Sequence, residues 1–190
     1  MDRSQFIKLY WRQYLSIEKD FLKTEEYVSL NKSNYATFSN AYGKLFLTIC
    51  SEIDSLSVEF SQMVKNDYEA ESDVKTNNII KRIDTIKTAY PSINSYQVRT
   101  KYPYDELFFA PFAKLSKDNM SDWWHDYNDF KHRRTGTTST GQPLYEKACL
   151  KNVISSLAAL FLLCYLVNNY FEVKNSDIIS ESIIFEFASK

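Results

Sequence analysis

Residues 153–167, VISSLAALFLLCYLV, limit most strongly what this chain can fold into, because a helix made from them is apolar almost all round and has no side suited to water. A membrane-spanning helix needs about 20 apolar residues, and this run has about fifteen. The expectation is therefore a buried central helix covered by the rest of the chain. The competing expectation is a membrane-associated protein held by this last helix.

Composition indicates what can do the covering. The 190 residues are 44 % hydrophobic and 16 % aromatic, enough for one domain spanning residues 1–190 to bury a core unaided. Three glycines and four prolines are few for a many-stranded fold, which spends such residues on turns. An all-α architecture follows: a bundle of about five helices with an irregular or short β insertion between helices 3 and 4.

Periodicity locates those helices. Phe6, Tyr10, Tyr14, Ile17 and Phe21 recur at spacings of three and four, with Lys8, Arg12, Lys19 and Lys23 on the other side. A second helix is expected from about Tyr35, with Tyr42, Phe46, Ile49, Ile53, Leu56, Phe60 and Met63 on one face and Glu52, Ser55 and Glu59 on another. A third covers residues 73–90 and stops before Pro91, since the residue preceding a proline is pushed out of the helical region. Residues 92–117 lose the helical period and read as strand or ordered loop around Pro103 and Pro111. A fourth helix runs from Ser121, a suitable N-cap, to Arg134, and the last from Leu144 to Phe171. The tail IIFEF alternates weakly, and its pairing with residues 96–100 as a short strand is conjectured.

The chemistry concentrates in the fourth helix, WWHDYNDFKHRR, which holds two of three tryptophans and both histidines. Asn128 and His132 lie four apart on one helical side, with Lys131, Arg133 and Arg134 in the last turn. An imidazole beside an amide and several cations could hold a phosphate and move a proton near neutral pH. The same cations could simply complement the negative end of the helix dipole. Trp123 and Trp124 could stack on exposed bases, or anchor the helix start by packing. His125, Asp129 and His132 form a weaker metal-ligand pattern without an evident fourth ligand, so no metal and no cofactor are expected.

The segment YNDFKHRR resembles a variant of the signature of the HEPN superfamily, small helical bundles that include metal-independent ribonucleases of toxin–antitoxin and antiphage systems. By position, Asn128 matches the family's polar residue and His132 its catalytic histidine, while the family arginine falls on Tyr127. The resemblance implies RNA as substrate or ligand, homodimers in which two motif helices meet, and a protein partner such as an antitoxin. Lys131, Arg133 or Arg134 would then have to hold the scissile phosphate. The chain is also similar to bacterial helical proteins that carry WW, YN, KH and R ahead of a hydrophobic terminal helix, with SEID-like acids on the second helix, here Glu52 and Asp54.

Those acids are candidate partners for the imidazole, but a spacing of two sets them about 200° apart, so one site should not use both. Asp54 flanks the apolar stripe and is the better buried partner; Glu52 lies on the polar face. Tyr127 and Trp124 complete the supporting set. The alternative to an RNA-directed enzyme is a non-catalytic interaction module, in which Lys131, His132 and the arginines bridge to Glu52 or Asp54 and lock the helices.

The net charge of −1 excludes a global basic field of the kind that coats nucleic acid non-specifically. Cys50, Cys149 and Cys164 form no CxxC pair and read as small core hydrophobes; with no secretory pattern at the start, a cytoplasmic protein is expected.

Overall fold

The computed structural model describes residues 1–69, 79–114, 121–171 and 181–189. The chain is mostly helical: α1 (Arg3–Phe6), α2 (Arg12–Lys23), α3 (Asn40–Val64), α4 (Ile79–Ile86), α5 (Asp122–Arg133) and α6 (Leu150–Tyr170). To these it adds a three-stranded antiparallel sheet of β1 (Gln97–Thr100), β2 (Phe108–Phe109) and β3 (Phe185–Ser189), in the order β2-β1-β3. The structure is thus a helical bundle with a short β insertion, whose sheet also takes in the C-terminal tail.

The apolar run lies within α6, whose length of 21 residues exceeds the run itself. By length and composition this helix could cross a membrane, yet 83 % of its apolar window is buried inside the protein. The argument from shortness therefore fails, and the argument from burial replaces it. α3 provides the most extensive cover, α2 and α5 pack alongside, and the sheet closes a further side. There Phe161 of α6 meets Phe185 of β3 at 5.7 Å between ring centroids, and Tyr165 stacks on Phe187 at 4.7 Å. Each fully buried Leu or Phe adds roughly 1.5–3 kcal/mol of transfer free energy, so this shared core holds the elements together.

α1 and α2 are joined through a π-helical turn, Ile7–Trp11, in which the Arg12 amide donates to the Ile7 carbonyl. The wider turn advances the buried stripe by one residue, so Trp11 enters the core where the 3–4 spacing expects Tyr10. α3 starts at Asn40, later than Tyr35, because Ser39 caps it through the Tyr42 amide. α6 starts at Leu150, where the expectation placed Leu144. Residues Leu144–Lys147 form a separate 3-10 turn, and the amides of Leu150 and Lys151 donate to the carbonyls of Thr37 and Tyr35. The third helix is described from Ile79; its expected beginning at residues 73–78 lies outside the described residues. The conjectured pairing of the tail is observed, with Val98 opposite Phe187 and Thr100 opposite Phe185.

The tail is fastened by Glu18 of α2, which is buried. Its carboxylate accepts from the Tyr14 hydroxyl at 2.8 Å, from the Ser182 hydroxyl, and from the amides of Ile183 and Ile184 at 2.9 and 3.0 Å. Four donors thus depend on one group at the entry to β3. Removing an acceptor that buried donors rely on costs about 1–3 kcal/mol for each group left unsatisfied. Glu18→Ala should therefore lower the unfolding free energy in urea by about 3 kcal/mol or more; a loss under about 1 kcal/mol would mean that the tail is held by its side chains alone.

Candidate functional site

α5 divides its chemistry between two faces. Trp123, Trp124, Tyr127 and Phe130 are buried and form its inner face. The Trp123 and Trp124 rings meet edge-on at 5.6 Å, Tyr127 lies 5.2 Å from Trp124, and Tyr127 and Phe130 both contact Phe46 of α3. The tryptophans act as packing anchors, not as an exposed stacking platform. Close approach to α3 is possible because position 43 is glycine: a Cβ there would sit 3.0 Å from the Phe130 ring.

The start of the helix is tied to the insertion. Ser121 occupies the N-cap position but spends its hydroxyl on the Pro111 carbonyl at 2.7 Å, where the Trp123 indole N–H also donates at 3.0 Å. The middle is tied to α6. Asp126 pairs with Lys147 at 3.0 Å and accepts from the Asn152 amide at 2.9 Å.

The outer face ends in Lys131, His132, Arg133 and Arg134, all exposed. Asn128 is half-buried one turn before His132 and on the same side, without a hydrogen bond to it among the described residues. Asp129 faces side chains of its own helix: Arg133 lies 3.5 Å from its carboxylate, and the His125 ring nitrogen 3.7 Å. His132 does not join that pair in a cluster of three metal-ligating side chains among the described residues. The Arg134 guanidinium sits 4.3 Å over the Phe130 ring, and the Lys131 ammonium 5.4 Å over that of Tyr127.

Tyr127, at the position of the family arginine, is a core residue. Burial, and then the neighbouring Cys50 and Asp54, push its phenol up to about 12, so it stays neutral near pH 7 and cannot hold a phosphate as a cation would. Cys50 and Cys164 are buried, and burial pushes both thiols up. Of the three cysteines only Cys149, half-buried at the start of α6, is partly open to solvent.

The two acids of α3 face different neighbours, as their spacing requires. Glu52 is half-buried, its carboxyl raised by burial, and its charge acts on Tyr10 and Cys164, on the side away from α5. Asp54 has a buried partner, and that partner is Arg82 of α4 rather than His132. The Arg82 side chain is fully buried and also donates to the Asp54 carbonyl at 3.2 Å and to the Ser57 hydroxyl at 3.4 Å. Sequence reasoning passed over Arg82, although its place on the stripe of Ile79, Ile83 and Ile86 is a readable sign of a buried cation.

Taking a carboxylate away from a buried guanidinium is costly, so Asp54→Ala should destabilise the fold by up to about 3 kcal/mol. Because the ion pair excludes His132, the effects of Asp54→Ala and His132→Ala on urea unfolding should add to within about 0.5 kcal/mol. A coupling above about 1 kcal/mol would instead tie the imidazole to this carboxylate. Comparison of the chain with family models, with curated proteins and with solved structures found no match.

Proposed function

We propose that this chain is a HEPN-like protein that binds single-stranded RNA through the exposed end of α5 and cleaves it without a metal ion. The observation that carries this reading is the arrangement of Lys131, His132, Arg133 and Arg134. They are exposed together at one helix end, and among the described residues no acid from another element pairs with them. Had these cations served to lock helices, the acids of α3 would be their partners; Asp54 is committed to Arg82.

In this reading Lys131, Arg133 and Arg134 hold phosphates. His132 takes the proton from the ribose 2′-hydroxyl, whose oxygen attacks the adjacent phosphorus and breaks its bond to the 5′-oxygen; the 5′-oxygen departs as a hydroxyl with a proton from water, leaving a 2′,3′-cyclic phosphate. Asn128, one turn earlier on the same side of α5, would orient the imidazole once RNA is bound. Two copies pairing through their motif helices, in the manner of HEPN proteins, would double the cationic surface. A cytoplasmic role in stress or antiphage defence, with an antitoxin-like protein partner, fits the same reading.

A second reading has one specific observation in its favour. Tyr127 is buried and neutral where the resembling ribonucleases carry their arginine, which favours a protein that binds RNA and does not cut it.

Lys131, Arg133 and Arg134 should together contribute about −2 to the slope of log K against log salt, and each Lys→Gln or Arg→Gln change among them should reduce its magnitude by about 0.7. For cleavage, the wild type in chelator should release cyclic-phosphate ends, and His132→Ala should slow this at least about 100-fold without moving Tm, because the side chain is exposed. RNA binding without cleavage selects the second reading; salt-insensitive binding, or none, overturns both.

A further inference from the structure

Beside the proposed RNA-binding end lies an open pocket of about 550 Å³, between the first turns of α3, the end of α5 and the turn before α6. Its size falls within the range of about 300–1,000 Å³ typical of small-ligand sites. Two cations, Lys44 and Arg134, stand at its wall, and no acidic side chain lines it. Neither cation has an acidic partner among the described residues. The Arg134 guanidinium sits 4.3 Å over the Phe130 ring, which holds it at the pocket while no acid pairs with its N–H groups among the described residues. Phe38 and Tyr145, in edge-on contact at 5.6 Å, also line the pocket. Both are large aromatic side chains that the fold leaves 44 % and 47 % exposed.

These two features call for one kind of occupant. Unpaired cations in a concave wall favour phosphate, and exposed rings beside them favour a flat base. The start of α3 is already capped by Ser39, so the positive charge here belongs to the side chains. Arg134 belongs both to the pocket lining and to the cationic run that closes α5, so the two share a residue. We propose that this pocket holds one nucleotide of the bound RNA strand, its base against Tyr145 and Phe38 and its phosphate between Lys44 and Arg134. The proposal rests on the RNA-binding reading above, and assigns roles to Phe38, Lys44 and Tyr145, which that reading leaves unused.

The two parts of the pocket predict different signatures in the binding of a short oligouridine, read by fluorescence anisotropy over a salt series. Tyr145→Ala should weaken binding by at least about fivefold with the salt slope unchanged, because stacking is not ionic. Lys44→Gln should lower the slope by about 0.7. Lys44 is exposed, so its variant probes the pocket even if Tyr145→Ala were to perturb the local packing, which Tm would reveal. If the wild type binds RNA and both variants bind it with unaltered affinity and slope, the pocket assignment is wrong and the RNA reading stands. Absence of binding by the wild type overturns both.

Discussion

The structure depends on the need to cover α6 on every side. A helix that is apolar around its circumference gains stability only when each face meets another apolar surface, and the other elements are arranged to provide one. α3 lies along it, α2 and α5 flank it, and β3 brings Phe185 and Phe187 to the rings of Phe161 and Tyr165. The small sheet exists in that role: a tail far from the insertion in sequence returns to pair with it because the remaining face of α6 would otherwise be open.

Buried polar groups then fasten the covering elements in place. Glu18 gathers donors from α2 and the entry to β3, while Asp54 neutralises Arg82 and so fastens α4 to α3. Asp126, Lys147 and Asn152 do the same between α5 and the start of α6. Asp54 and Asp126 are thereby engaged away from the basic end of α5, where Asp129 of the same helix is the acid beside Arg133. The inner aromatic face of α5 is committed to packing and its middle to α6, so its last turn projects its cations outward.

Much of this organisation was legible in the chain, for a physical reason. Stripes such as Phe46, Ile49, Ile53, Leu56 and Phe60 reflect burial on one helical face, and periodicity reports that directly. Of the two roles open to Trp123 and Trp124, packing is the one observed, and Tyr127 and Phe130 join them on the inner face at the same helical spacing. What periodicity could not show were features decided by tertiary hydrogen bonds. The π-helical turn that substitutes Trp11 for Tyr10 leaves no local signature, and the start of α6 is set by carbonyls of residues 35 and 37, far away in the sequence. Arg82 was passed over because a cation in a short helix is assumed to reach water, whereas here a carboxylate one helix away makes its burial tolerable. The pocket around Lys44 and Tyr145 was invisible for a related reason, since its walls come from three separated segments.

The central claim is that the exposed cationic end of α5 is where RNA sits. Amide hydrogen exchange of the chain with and without a single-stranded RNA tests it most directly, because it reports where protection arises without presupposing cleavage. The account predicts added protection in peptides spanning residues 128–134 and 38–47, with the sheet of β1, β2 and β3 unchanged. Protection confined to the sheet, or none at residues 128–134 while RNA is bound, would contradict it.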